Sequence, residues 1–257
     1  MEVKERLRAA WRLTRIRTES LGAGLKAAAL PMVCRICEAV TERTAYCDSC
    51  RDELREAGTS ACPRCALTSG PWTRTAAGCS WCRKRSLGFD AALALGPYAG
   101  PIRAACLELK HRRNAWLARE LADLIVDAHA AAFEPLRGAL VVPVPLHWRR
   151  QWQRGFNQAA HLGSRITDRI GGASADPLKR VISTPKLTAF GGRERARLMK
   201  NAFRVWHPAD ISGRTIVLVD DIMTTGATCG AAARVLKQAG AARIVAVVIA
   251  RTQESRS

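Results

Sequence analysis

Two adjacent carboxylates, Asp220 and Asp221, follow the apolar run 216–219 and precede a small hydroxyl-rich turn at residues 224–228. The turn reads Thr-Thr-Gly-Ala-Thr, and a helical segment begins directly after it. Backbone N–H groups at the start of a helix bind phosphate, and threonine hydroxyls add further donors. A pair of carboxylates beside such a turn can accept hydrogen bonds from two sugar hydroxyls. The pattern therefore predicts a site for a ribose 5-phosphate at the carboxyl end of a buried strand.

A second candidate anion site follows another short apolar strand, residues 140–144. Prolines at the end of this strand stiffen its exit from the sheet, and Arg149, Arg150 and Arg154 come next. Guanidinium groups make forked, charge-assisted bonds to phosphate oxygens. A basic surface loop is the alternative interpretation. If both segments follow parallel strands they share one edge of the sheet, so we expect the arginines to meet a pyrophosphate beside the sugar.

Eight of the ten cysteines form four Cys-x-x-Cys pairs in the segment 34–86, which has few large apolar residues, so that metal is expected to replace a core. The pairs are Cys34/Cys37, Cys47/Cys50, Cys62/Cys65 and Cys79/Cys82. Thiolate pairs on tight turns, two pairs per ion, make tetrahedral four-sulfur sites, so we expect two structural Zn²⁺ ions. In the simplest arrangement the first pair shares an ion with the second pair, and the third pair shares an ion with the fourth. Interleaved pairs are the alternative. Redox-active pairs are a weaker hypothesis, and Cys106 and Cys229 are assigned no chemistry.

The charge of the chain is strongly basic. Its 257 residues include 41 basic and 22 acidic side chains, a net charge of +19. Such an excess favours nucleic acid, phosphorylated metabolites or an acidic membrane surface as partners, and a generally arginine-rich surface is the alternative. No run of 18 apolar residues occurs, so we predict no membrane span. Because no signal or transit peptide stands out, we expect the protein in the cytoplasm.

Apolar runs alternate with amphipathic segments from residue 89 onward. We predict strands at 91–95, 140–144, 178–182, 216–219 and 244–249, and helices at 102–109, 116–130, 155–170 and 227–238. Near-continuous β-branched runs are typical of central parallel strands covered by helices on both faces. The sequence therefore predicts an α/β fold with a doubly wound parallel sheet, whose ligands lie beyond the carboxyl ends of the strands.

The segment 216–228 resembles the phosphoribosyl pyrophosphate (PRPP) loop of type I phosphoribosyltransferases. In that family the two acids hold the ribose 2- and 3-hydroxyls, and the Thr-Thr-Gly-x-Thr turn holds the 5-phosphate. Leu-Lys-His-Arg at 109–112, Val-Pro-Val-Pro-Leu-His at 142–147 and Arg-Gly-Phe-Asn-Gln-Ala at 154–159 are similar to segments of the ComF family. That family joins a four- or eight-cysteine zinc module to a phosphoribosyltransferase-like domain. The likeness covers about residues 30–251.

The resemblance implies a site and a domain organisation. Asp220, Asp221 and Arg149 would be the catalytic residues, and Mg²⁺ would bind together with PRPP. The PRPP-binding residues would be Val144, Arg149, Arg150, Asp220, Asp221, Met223, Thr224, Thr225, Gly226, Ala227 and Thr228. We predict a basic helical extension at 1–30, a double zinc ribbon at 31–86, a phosphoribosyltransferase domain at 87–252 and a disordered tail at 253–257.

The function that the resemblance implies is DNA uptake in competence, with single-stranded DNA as a ligand and a DNA-uptake helicase as a partner. The alternatives are a catalytic phosphoribosyltransferase of nucleotide metabolism or salvage, which would be a glycosyltransferase, and a non-catalytic PRPP sensor. Leu187 and Ala189 stand where the ComF family has glutamine and glycine. These substitutions speak more against efficient turnover than against ligand binding, so enzymatic activity and the acceptor stay open.

Overall fold

The structure is a computed structural model that divides into two compact units, residues 1–47 and 48–257. It describes residues 32–41, 44–58, 60–70, 74–75, 77–111, 114–146, 152, 155–181, 199, 201–206 and 208–253. The predicted helical extension at 1–30 lies outside the described residues, as do Arg149, Arg150, Leu187 and Ala189. The predicted domain boundaries stay predictions.

The described part of the first unit contains one short hairpin. Strand β1 (Met32–Val33) pairs antiparallel with β2 (Val40–Thr41), with Val33 opposite Val40. The Thr41 hydroxyl donates to the Thr44 carbonyl at 2.7 Å and holds the chain that follows β2. The hairpin also brings Arg35 next to the chain that follows β2, where its N–H donates to the Ala45 carbonyl at 2.8 Å.

The second unit begins with helix α1 (Asp48–Glu56), which buries Cys50 and Leu54. Asp48 lies in its first turn and Arg55 in its last, and both charges suit the helix dipole. Two short strands follow, β3 (Arg74–Thr75) and β4 (Gly78–Cys79), which pair antiparallel.

Five of the following strands form the main sheet. In chain order the elements are β5 (Ala91–Pro97), α2 (Gly100–Glu108), α3 (Leu117–Ala128), α4 (Ala130–Phe133), β6 (Leu140–Pro143), α5 (Gln158–Ile170), β7 (Ala173–Ser174), β8 (Leu178–Arg180), β9 (Phe203–Val205), β10 (Thr215–Met223), α6 (Ala227–Gln238) and β11 (Arg243–Arg251). The sheet has the order β5-β11-β10-β6-β7 and all its neighbours are parallel. Strands β8 and β9 make a separate two-stranded antiparallel sheet.

Helices cover both faces of this sheet. Alternate residues of a strand point to opposite faces. Ile216 and Leu218 of β10 lie in a buried cluster with Ala232 and other residues of α6. Gly163 of α5 lies against Val219, on the other face. The predicted fold class, a doubly wound parallel sheet, is confirmed. None of the described helices is long and apolar enough to cross a membrane.

Strand β10 is longer than the predicted strand 216–219. It continues through Asp220 and Asp221 to Met223, because its parallel pairing with β11 continues to that residue. The prediction that the strand ends before the acid pair was therefore wrong. The acids lie inside the ladder of backbone hydrogen bonds, which fixes their positions better than a turn would.

Candidate sugar-phosphate site and tetracysteine clusters

The segment that follows β6 begins beside the part of β10 that leads to the acid pair. Val219 pairs with Pro143 in the parallel ladder, and the N–H of Val144 donates to the Val219 carbonyl at 2.8 Å. Val144 is therefore a direct neighbour of the strand that carries the acid pair. The carboxyl ends of parallel strands are where α/β proteins bind their ligands.

Asp220 and Asp221 are both partly exposed, and both use an oxygen on the backbone. The N–H of Asp221 donates to Asp220 Oδ1 at 2.9 Å, and the N–H of Ile222 donates to Asp221 Oδ1 at 2.7 Å. Burial and the negative charge of Asp221 raise the pKa of Asp220 well above its usual range, against the opposing charge of Arg180. A ligand that brings hydroxyl donors or a cation would stabilise the ionised pair.

The negative charges of these acids act on two cysteines that the sequence left without a role. Cys229 Sγ is 3.8 Å from Asp220 Oδ2, and burial together with the charge of that acid raises the pKa of the thiol. Burial and the charge of Asp221 raise the pKa of Cys106 to about 12. Both thiols are therefore protonated at neutral pH. Their distance along the chain gives no signal of this proximity, which only the sheet topology creates.

The turn after β10 presents the start of α6. Gly226 is the N-cap residue and has a φ of 75°, in the left-handed region that favours glycine. It has no side-chain cap, and its carbonyl accepts from the Gly230 N–H at 2.7 Å. The Thr225 hydroxyl lies 3.4 Å from the Ala227 nitrogen. The first N–H groups of a helix point away from its body, so this turn can present them to an anion.

Asn157 holds together the two ends of the segment 144–157. Its side-chain oxygen caps α5 by accepting from the Ala159 N–H at 3.1 Å. Its side-chain amide donates to the Val144 carbonyl at 3.2 Å. Asparagine is among the most favourable N-cap residues, which explains this choice. In the sequence Asn157 stands only within a motif, and neither contact was predicted from it.

The eight paired cysteines form two clusters of four sulfur atoms. Cluster 1 consists of Cys34, Cys37, Cys47 and Cys50, and cluster 2 of Cys62, Cys65, Cys79 and Cys82. Within each cluster the sulfur atoms lie within 4.8 Å of one another, and none of these eight cysteines is in a disulfide bond. Successive pairs therefore combine, and the interleaved alternative is wrong.

The distances between the sulfur atoms test whether a metal ion fits. Four sulfurs at about 2.3 Å from a tetrahedral Zn²⁺ lie roughly 3.8 Å apart. The structure places sulfur atoms 3.5 Å apart for Cys37 and Cys47, 3.8 Å apart for Cys62 and Cys82, and 3.7 Å apart for Cys65 and Cys79. A disulfide would require about 2.05 Å. Both clusters could therefore hold a metal ion, and their dimensions are consistent with zinc.

The same backbone turn supports both clusters. Glu38 and Ala66, which follow the first and third cysteine pairs, have positive φ values of 63° and 56°. Their N–H groups donate to the carbonyls of Cys34 and Cys62 at 3.0 and 2.8 Å. A non-glycine residue with a positive φ is strained, so the turn is held by its surroundings.

Burial opposes ionisation of the Cys34 thiol, but hydrogen bonds from surrounding backbone N–H groups outweigh burial and lower the pKa of Cys34 to about 6.

Cluster 2 belongs to the core of the second unit. Its cysteines are buried in the same apolar cluster as Ile216 and Leu218 of β10. Arg251, the last residue of β11, is completely buried, and its Nε donates to the Cys65 carbonyl at 3.1 Å. The expectation that metal replaces a core is therefore wrong for cluster 2, because the core of the main sheet extends to it.

A parallel sheet with an acid pair and a helix-start turn at its carboxyl edge is the arrangement of phosphoribosyltransferase-like proteins. In agreement, a family model described as "Phosphoribosyl transferase domain" matches residues 193–257. The chain belongs to the ComF family, which confirms the resemblance seen in the sequence. It is 30% identical over 230 residues to the DNA utilization protein YhgH of Salmonella typhi, a match that covers 87% of this chain and 98% of that protein.

Two competence proteins extend the comparison. Competence protein F of Haemophilus influenzae is 28% identical over 207 residues, which are 79% of this chain and 88% of that protein. Competence protein ComFC of Bacillus subtilis is 27% identical over 233 residues, which are 83% and 92% of the two chains. The solved structure of TT1426 from Thermus thermophilus is 19% identical, with a TM-score of 0.31 and coverage of 58% of this chain and 86% of that one.

Proposed function

We propose that this chain binds PRPP, or a related sugar phosphate, at the carboxyl edge of its sheet and acts on single-stranded DNA during DNA uptake. The observation that carries the first part is the position of Asp220 and Asp221 inside β10, shortly before the turn at which α6 starts. The acids would accept the ribose hydroxyls, and residues 224–228 would hold the 5-phosphate. The names of the relatives support the second part.

Two kinds of metal ion fit this proposal. Carboxylate oxygens such as those of Asp220 and Asp221 are the hard donors that Mg²⁺ prefers, and Mg²⁺ bound with PRPP would neutralise part of the pyrophosphate charge. The eight thiols of clusters 1 and 2 would hold two Zn²⁺ ions with a structural role. Each set of protein ligands thus suits a different ion.

A phosphate held by the turn predicts a specific loss when one hydroxyl is removed. We expect Thr225→Val to weaken PRPP binding by roughly 10-fold to 100-fold, because a hydrogen bond to a charged group is worth about 1.5–3 kcal/mol. Isothermal titration calorimetry with PRPP and Mg²⁺ measures the change. Thr215→Val, at the first residue of β10 and far from the turn, is the matched control and should bind like the wild type. Equal affinities of all three proteins would refute the phosphate site.

The two-stranded β8–β9 sheet offers a surface for single-stranded DNA. Lys179 and Arg204 lie directly opposite each other on its exposed face, and Trp206, which continues that face, is 58% exposed. Like charges in such a cross-strand pair repel each other, and a polyanion would relieve the repulsion. An exposed aromatic ring beside cations is the combination that stacks bases and neutralises phosphates. By contrast, Trp81 packs against Arg85 and Arg251 at 4.3 and 5.1 Å.

This surface predicts different effects for its aromatic and cationic residues. Trp206→Ala should weaken binding of an oligothymidylate roughly 10-fold without changing its salt dependence, because stacking releases no counterions. Lys179→Gln should reduce the slope of log affinity against log salt by ~0.7, the value for one phosphate on a single strand. Fluorescence anisotropy at several salt concentrations measures both.

Arg137→Gln is the control for the DNA experiment, because this exposed arginine is already paired with Glu134 at 2.8 Å. Its salt slope should match that of the wild type. A wild-type affinity that does not change with salt would exclude phosphate contacts. Release of pyrophosphate with any acceptor base would favour the catalytic alternative. PRPP binding with neither pyrophosphate release nor DNA binding would favour the sensor.

A further inference from the structure

Arg251 connects cluster 2 to the turn that we assign to the sugar phosphate. Its guanidinium is completely buried, and Nε donates to the Cys65 carbonyl at 3.1 Å. Its Nη1 donates to the carbonyls of Met223 and Thr252 at 3.2 and 3.1 Å. Met223 is the last residue of β10 and directly precedes the turn at 224–228. One rigid side chain therefore contacts both a metal-ligand residue and the base of the turn.

The surroundings of Arg251 fix its position. Trp81, which lies between two cysteines of cluster 2, has its ring 5.1 Å from the guanidinium carbon. The Thr252 N–H donates to the same Met223 carbonyl at 3.0 Å. Burying an arginine is costly unless its donors are satisfied, and the guanidinium fork matches only partners with fixed geometry. A shift of the Cys65 backbone would therefore be transmitted to Met223, since both depend on the same group.

A second contact leads from the cysteine segment to α6. A Cβ added to Gly230 would collide with the Leu87 carbonyl, so this helix and the chain that follows cluster 2 pack backbone against backbone. Gly226, at the start of the helix, lies near the ring of Phe89. The start of α6 and the end of β10 are thus both held from the side of cluster 2.

We propose that Arg251 is a positioning residue that couples metal occupancy of cluster 2 to the affinity of the turn 224–228 for a sugar phosphate. The proposal rests on the function proposed above for the turn. Metal in cluster 2 fixes the Cys65 backbone, and Arg251 passes this order to Met223. Because coupling between two binding sites is reciprocal, a bound sugar phosphate must also tighten metal binding by the same factor.

The first test uses amide hydrogen exchange and needs no ligand. In zinc-loaded protein, Arg251→Lys should speed exchange of peptides covering residues 216–230 about 10-fold, because the lysine keeps the charge but loses the fork. Arg243→Lys, at the exposed first residue of β11, should leave this exchange unchanged. Unchanged exchange in a folded Arg251→Lys protein would overturn the proposal. If that variant does not fold, Trp81→Leu replaces it, with an expected increase of about 3-fold.

The second test measures the coupling itself. In a Cys37→Ser background, which leaves cluster 2 as the intact cluster, zinc affinity is determined by chelator competition with and without saturating PRPP. PRPP should tighten zinc binding about 10-fold, and Arg251→Lys should abolish this effect. Zinc affinity that is indifferent to bound PRPP would contradict the coupling. If the wild type binds no PRPP, the proposed function fails, and the exchange experiment alone decides the role of Arg251.

Discussion

Asp220→Asn is expected to make the protein more stable at neutral pH and at the same time to weaken PRPP binding by between about 10-fold and 100-fold. The folded protein holds a partly buried carboxylate beside the charge of Asp221, and these two factors raise the pKa of Asp220 well above its usual range. Asparagine removes the charge but keeps the oxygen that accepts from the Asp221 N–H at 2.9 Å. Because one unit of pKa shift corresponds to about 1.4 kcal/mol, we expect the free energy of unfolding at pH 7 to rise by an amount on the order of 1 kcal/mol.

The pH dependence of this gain follows from proton binding. Because the pKa of Asp220 is higher in the folded state, the folded protein binds more protons between the ordinary pKa of ~3.9 and the raised value. The stability of the wild type therefore falls as the pH rises through that window. The advantage of Asp220→Asn should be largest at neutral pH and should vanish as the pH falls toward ~4. Urea denaturation at several pH values measures it.

Asp176→Asn is the control, because this exposed acid lies outside the acid pair, and its replacement should change neither stability nor PRPP affinity. A destabilised Asp220→Asn protein would show that the carboxylate contributes to the fold rather than to a ligand site. Loss of affinity together with a gain in stability is the signature of a functional residue, since a ligand site keeps charges that the fold alone would not.

The main sheet was predictable because its strands and helices have clear periodicity. The predicted helix 227–238 coincides with α6, and the buried runs 216–219 and 244–249 lie within β10 and β11. The end of β10 was not predictable from polarity. Two carboxylates normally indicate the end of a buried strand, but the register with β11 extends the ladder to Met223.

The chemistry of the site was visible in the sequence only where residues are neighbours along the chain. The acid pair, the turn 224–228 and the Cys-x-x-Cys pairs are local patterns, and each indicates one kind of ligand. The contacts of Arg251 with Cys65 and Met223 join residues that are 186 and 28 positions away along the chain. A buried arginine at a strand end gives no periodic or spacing signal, so only the folded structure could reveal its role.

The two tetracysteine clusters are expected to differ greatly in what their metal contributes to stability. Cys65→Ser should destabilise the main sheet by at least about 3 kcal/mol, because cluster 2 lies in the same buried core as Ile216 and Leu218. For a unit of this size, such a loss corresponds to a fall in melting temperature on the order of 10 °C. Cys37→Ser removes an exposed cysteine of cluster 1 and should change the melting of the sheet by only a few degrees.

The zinc content of each variant shows whether the two serine variants lose the same number of ions. By mass spectrometry of the intact protein, each serine variant should hold one zinc ion where the wild type holds two, so the two variants lose the same number of ions and differ only in the cluster affected. Cys106→Ala, a buried cysteine outside both clusters, should keep both ions. Equal destabilisation by Cys37→Ser and Cys65→Ser would mean that cluster 2 has no special connection to the core. A larger effect of Cys65→Ser, with chelation of wild-type protein reproducing it, would show that zinc in cluster 2 stabilises the sheet on which the acid pair lies.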